Sequence, residues 1–295
     1  MRLTSEADFV LNPDGSIYHV NLFPEDVADT VILVGDPDRV ERISKHFDRI
    51  DKKVQKREFV THIGWIGKKR LNVLSTGIST ANIDIAVNEI DALVNVDLQR
   101  RHLKEKTRSL NFIRIGTSGS LQKEIPVDSF VASSFGLGLD NLLAYYQRSV
   151  NDREAELQRS WDEYEKIHIG LPCPTYVATA HPHLLLSLAK NITKGITLTA
   201  PGFYGPQGRK IRLDPISSMQ NLEAFTNFDF RGIKITNFEM ETSAIYGLSN
   251  LLGHRGLSLN TIIANRAAQQ FSKDPRKAVD SLIVKTLELI SEHDI

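Results

Sequence analysis

The chain has 295 residues, 41% of them hydrophobic and 24% charged, the proportions of a globular protein with a sizeable core. Its 36 Lys and Arg balance 36 Asp and Glu, so no overall field points to nucleic acid or to a membrane surface. A single cysteine, Cys173, excludes an internal disulfide, and Met1 to Pro13 holds no long apolar run, so the cytoplasm is the expected location.

In chain order, short apolar runs alternate with longer amphipathic ones. Val31-Ile32-Leu33-Val34 reads as a buried strand closed by Gly35. Asp36 can then cap a helix with Pro37 at its first position, and Val40, Ile43 and Phe47 give that helix an apolar face. Leu71 to Leu74 is a second strand, residues 81–95 a helix, and Phe112-Ile113-Arg114-Ile115 a strand ending at Gly116-Thr117-Ser118-Gly119. Strands follow at Phe130-Val131-Ala132, Ile196-Thr197-Leu198, Ile233-Lys234-Ile235 and Leu257 to Ile263, with helices over 239–252 and 276–291. This alternation predicts one α/β domain over residues 1–295 with a largely parallel sheet, its ligands at the carboxyl ends of the strands. Two stretches read as insertions: 97–109, rich in Lys and Arg, as a solvated surface segment, and 136–176 as a helical excursion, lid or subunit contact.

Four segments carry chemistry. Gly35-Asp36-Pro37-Asp38-Arg39 joins a strand to a helix start, which aims free N–H groups and a positive helix end at an anion, with the Arg39 fork beside them. Arg114 lies inside an apolar strand, where a guanidinium is costly without an anionic partner. That partner is either a structural carboxylate or a phosphate cradled by the adjoining Gly-Thr-Ser-Gly. Neither a P-loop nor a dinucleotide fingerprint is present. Asn237-Phe238-Glu239-Met240-Glu241 ends a strand and opens a helix. Its carboxylates either cap that helix or accept hydrogen bonds from vicinal sugar hydroxyls, with Met240 under the ring. In Phe203-Tyr204-Gly205-Pro206-Gln207-Gly208-Arg209, an amide matches the N–H and carbonyl of a uracil, and a guanidinium can stabilise charge on its carbonyl oxygen. Ordinary turns, ion pairs and surface loops are the alternative readings of each.

Together these motifs, with Arg57-Glu58-Phe59, Ser75-Thr76-Gly77-Ile78 and Asn265-Arg266, resemble in their order the uridine phosphorylases of the nucleoside phosphorylase-I family, from about His19 to the final helix. The resemblance implies a three-layer α/β/α fold with a central mixed sheet. It implies phosphorolysis of uridine or a related pyrimidine nucleoside, inorganic phosphate being co-substrate and no cofactor or metal being needed. Gly35, Arg39, Arg57, Arg114 and Thr117 would bind phosphate; His19, Glu239, Met240 and Glu241 the ribose; Phe203, Gln207, Arg209, Ile263 and Ala264 the base. Arg114, Arg209 and Glu241 would carry catalysis. His19 and Arg57 would reach a neighbouring subunit's site, since the family forms homo-oligomers built from dimers, commonly hexamers.

The chain departs from the pattern at three places. Ser79-Thr80-Ala81-Asn82 stands where relatives often have Gly-Gly-Pro-Ser, which counts against the potassium ion some relatives hold there with the equivalent of Glu58. Ala267-Ala268-Gln269-Gln270 stands where Thr-Gln-Gln-Glu is usual, so Gln270 replaces a carboxylate that helps order the base-site arginine. Gly205-Pro206 inverts the usual Pro-Gly. The late strand ends Ala264-Asn265-Arg266 rather than in the Ser-Asp of purine phosphorylases. A purine phosphorylase, a nucleosidase of the same family and a catalytically silent nucleoside-binding protein are the rival readings.

Overall fold

The computed structural model describes residues 5–295. Thr30–Val34 forms β1, all five residues buried. Burial of such a Val, Ile or Leu side chain contributes about 1.5–3 kcal/mol. Pro37–Ser44 is α1, its buried face carrying Arg39, Val40 and Ile43. A meander of Arg49–Lys56 (β2), Phe59–Ile66 (β3) and Lys69–Ser75 (β4) follows. Thr80–Asn95 is α2, and a two-stranded excursion of Val96–Asp97 (β5) and His102–Leu103 (β6) leads into Asn111–Ser120, the long β7. After it come Phe130–Gly138 (β8), Asp152–His168 (α3), Tyr176–Thr179 (β9), Pro182–Leu188 (α4) and Thr193–Thr199 (β10). The last third holds Ser217–Gln220 (α5), Leu222–Asn227 (α6), Asp229–Phe230 (β11), Ile233–Glu239 (β12), Thr242–Leu252 (α7), Arg255–Asn265 (β13), Gln270–Phe271 (β14) and Pro275–Glu292 (α8).

One mixed sheet runs β11-β12-β10-β8-β13-β7-β1-β4-β3-β2, with β9 added to β8 and β14 to β13. Its centre is parallel: β1 lies between β4 and β7, and β7 pairs parallel with β13. Helices cover both sides, α2 packing on α7 and α4 on α8. The end of β7 also pairs antiparallel with β12, Gly119 opposite Phe238. The strands β7, β13, β8, β10 and β12 therefore close on themselves, which holds the ends of β7, β12 and β13 together.

Three boundaries differ from the sequence reading. The run Gly116-Thr117-Ser118-Gly119 is not a strand end but the second half of β7, because β13 supplies parallel partners as far as Ser120. The helix expected from 239 starts at Thr242, Glu239 remaining in β12. The stretch 136–176 begins inside β8 and contains α3, whose fully buried Trp161 joins a second core cluster with Phe225 and Phe228. It is part of the body, and its core-facing side belongs to no lid. The segment 97–109 is mostly exposed, as expected, with Arg108 paired to Asp29 at 2.6 Å.

Candidate active site

The carboxyl ends of β1, β4, β7, β12 and β13 open into one cavity of about 980 Å³, at the upper end of small-molecule sites. At one end Gly35 brings backbone against backbone: a Cβ there would sit 3.3 Å from the Gly77 carbonyl oxygen. Asp36 caps α1 by accepting the Asp38 N–H at 3.0 Å. Arg39, on the first turn, is buried and donates through Nη1 to the Ile115 carbonyl at 3.1 Å. Its Nε has no hydrogen-bond partner, and it forms no ion pair among the described residues. Burial, and next the charge of Arg114, push its pKa down to about 10. A guanidinium left in that condition is a standing demand for an anion.

Arg114 is held differently. Its Nη1 donates to Asn260 Oδ1 at 2.6 Å and its Nη2 to Glu241 Oε2 at 2.5 Å, with Glu239 at 3.5 Å. Complete burial works against its charge, but Glu241 and Glu239 outweigh burial and hold its pKa above the usual arginine range. Gly116 makes room for this geometry, since a Cβ there would lie 1.8 Å from Arg114 Nη1. Of the two partners considered for Arg114, the structure shows the carboxylate, and the guanidinium also lines the cavity beside Thr117.

The two carboxylates at the end of β12 and the start of α7 divide their tasks. Glu239 accepts the N–H groups of Glu241 and Thr242 and the Thr199 hydroxyl at 2.7 Å, so it caps α7. Burial raises its pKa, opposed by the Arg114 charge. Glu241 takes the Ser79 N–H at 2.8 Å with Oε1 and Arg114 with Oε2. Each of its oxygens keeps a lone pair for a further donor, and Met240 and Glu241 both line the cavity.

At the other end, the loop after β10 turns at Gly208, whose φ of +68° and 2.0 Å approach of a Cβ to the Met219 carbonyl oxygen require glycine. Gln207 is almost wholly buried. Its Oε1 accepts Arg209 Nη1 at 2.5 Å, and its backbone carbonyl accepts Arg266 Nη1 at 2.6 Å. Arg209 also donates to the Phe203 carbonyl at 2.8 Å and stacks 3.9 Å from the centre of the Phe203 ring. Burial lowers the pKa of Arg209. Burial and then the neighbouring Arg209 bring Arg266 to about 10. Ile263 and Ala264 line the same end.

Of the residues given a binding or catalytic role from sequence, His19 and Arg57 alone lie off the cavity. His19 Nδ1 is 2.5 Å from Glu89 Oε1, and its N–H also meets that carboxylate. Arg57 occupies the turn between β2 and β3 with φ +54° and is exposed, 5.7 Å from the Tyr18 ring. Tyr18 and His19 are edge to face at 4.8 Å, so His19 and Arg57 share one patch outside the chain's own site. Sequence reasoning missed Asn260 and Thr199, which position Arg114 and Glu239; their signal was a polar side chain inside an apolar strand. Arg266 was noted but given no role.

Residues 29–292 match the Phosphorylase superfamily. The chain is 28% identical over 282 residues to the uridine phosphorylase of Thermococcus kodakarensis, covering 95% of this chain and 89% of that protein. It is 25% identical over 279 residues to the uridine phosphorylase of Escherichia coli, covering 91% and 94%. Among solved structures, a Trypanosoma brucei nucleoside phosphorylase described as showing uridine phosphorylase activity superposes with a TM-score of 0.84 at 28% identity, covering 97% of this chain and 100% of that one.

Proposed function

The chain belongs to the Phosphorylase superfamily, and on that premise we propose that it is a uridine phosphorylase, which cleaves uridine with inorganic phosphate to uracil and ribose 1-phosphate. The observation that carries the reading is Arg39: buried, beside Arg114, on the wall of the cavity, and without an ion pair among the described residues. Phosphate supplies a counter-ion. A phosphate oxygen then forms a bond to C1′ of the ribose as the C1′–N1 bond breaks, its electron pair leaving with the base. Glu241 and Met240 hold the sugar between the two ends, and Gln207 and Arg209 stabilise charge that grows on the uracil carbonyls. Fixing the anion in line with C1′ makes the attack effectively unimolecular. Phosphate is the only further reactant, and no cofactor enters the reaction.

The purine reading is weaker for a structural reason. The late strand ends Ala264-Asn265-Arg266 and lacks the Ser-Asp of the purine enzymes, and Asn265 Nδ2 is tied to the carbonyls of Gln122 at 2.9 Å and Ile125 at 2.7 Å. We further infer that the site is completed by a second copy of the chain, His19 and Arg57 reaching the ribose and phosphate of the neighbour in a dimer-based homo-oligomer. We assign the activity to pyrimidine salvage in the cytoplasm.

The test is cleavage of uridine, thymidine, cytidine and inosine with and without phosphate, with ribose 1-phosphate assayed directly. Uridine cleavage should vanish without phosphate. Cleavage that persists in its absence makes the protein a nucleosidase, and faster turnover of inosine makes it a purine enzyme.

A further inference from the structure

Glu241 is the residue from which α7 starts, and the first N–H groups of a helix have no partner within it. Here the first two are spent inside the protein. Thr242 donates its N–H to Glu239, and Ser243 donates its own to the Thr199 hydroxyl at 2.9 Å. The Thr199 hydroxyl in turn donates to Glu239 Oε1 at 2.7 Å. These bonds hold the first turn of α7 on the side of β10 and β12. On the side of β8 and β9 the tether is the side chain of Ser243, a fully buried residue whose Oγ donates to Asp140 Oδ2 at 2.9 Å. The Tyr176 hydroxyl donates to the same carboxylate at 2.8 Å, and the Leu142 N–H at 3.0 Å. Two glycines of β8 make the seat for this cluster. A Cβ at Gly136 would lie 2.7 Å from Ser243 Cα, and one at Gly138 would lie 2.4 Å from the Tyr176 ring and 2.8 Å from Asp140 Oδ2. Sheet backbone therefore packs directly on the start of α7, two residues beyond Glu241.

We propose that Asp140 is a positioning residue for the sugar: through Ser243 it fixes the first turn of α7, and so sets where Glu241 presents its free lone pairs to the ribose hydroxyls. The inference rests on the ribose role given to Glu241 above. Asp140 lies outside the cavity wall, so it acts on the reaction only through what it holds. With Ser243 Oγ tied down, the Glu241 backbone enters α7 at one angle, and its carboxylate meets both the Ser79 N–H and Arg114. When that tether is cut, Thr199 still takes the Ser243 N–H. The turn stays folded but is no longer fixed from both sides, and a group held loosely by its supporting shell binds less well.

Asp140→Asn and Ser243→Ala test this in steady-state phosphorolysis, with uridine and phosphate varied in turn. Each variant should raise KM for uridine about tenfold, the worth of one positioned hydrogen bond. KM for phosphate should stay within about twofold, because Arg114 keeps Asn260 and Glu239 and Arg39 is untouched. The double variant should be no worse than either single one, since both break the same link. A folded Ser243→Ala variant, checked by melting, whose KM for uridine is unchanged overturns the inference. So do losses that multiply in the double variant, and so does a fall in kcat alone, which assigns Asp140 to structure only. Should Asp140→Asn not fold, Ser243→Ala decides the question. Uridine cleavage by the unmodified protein separates the two levels: where it depends on phosphate, a failed variant result sinks the inference alone, and where no phosphate-dependent cleavage is seen, both fall.

Discussion

A buried guanidinium with an orphaned Nε is a cost, and at Arg39 it is incurred where phosphate is proposed to bind. This sets the sign of two effects in one substitution. Arg39→Gln removes the unpaired charge, so thermal stability should stay level or rise. It also removes a donor to the attacking phosphate, so kcat/KM should fall about 10²–10³-fold, with a raised KM for phosphate. Melting and steady-state kinetics on one preparation check both, and a marked fall in Tm with activity retained would assign Arg39 to structure. At this scale the sequence was legible wherever cost was visible in it. Arg114 inside an apolar strand announced a partner, but not which one. The choice between phosphate and Glu241 depended on a residue 127 positions away, a separation that no local pattern encodes. Asn260 and Thr199 were marked only as polar side chains in apolar strands, which does not reveal what they face.

The strands buried on both faces, such as β1, were legible from their apolar runs. β2 was not, since Arg49–Lys56 reads as a charged segment; it is an edge strand with alternating exposure, where solvent accepts the charges. β7 was read short because glycines and hydroxyls look like a turn, yet partners on both sides keep them in the ladder. That second half of β7 is where an element controls chemistry. Gly116 has no positive φ, so alanine suits its backbone, but the added carbon would displace Arg114 Nη1 from 1.8 Å and Asn260 Oδ1 from 2.7 Å. Gly116→Ala should therefore leave the circular dichroism spectrum unchanged while turnover of uridine falls about 10²-fold, the scale of an ångström's misplacement. Near-normal turnover would mean that Arg114 need not occupy this position.

Across the whole molecule, the cavity gathers the residues proposed to bind phosphate, ribose and base but leaves His19 and Arg57 outside, on a shared patch with Tyr18. A site completed by exchange between two copies accounts for that separation, because in a two-fold pair each copy's patch meets the other's cavity. Complementation tests the arrangement. Arg39→Gln disables a chain's own cavity, and Arg57→Ala disables the patch it lends; each variant alone should have little activity. In a mixed dimer one site collects both defects and the other has neither. Random reassembly of equal amounts should thus restore roughly a quarter of the unmodified activity, measured as phosphate-dependent uridine cleavage after co-expression or after dissociation and remixing. A mixture no more active than the mean of its parents would place the reaction within a single chain, and full activity of Arg57→Ala alone would remove the exchanged arginine from the mechanism.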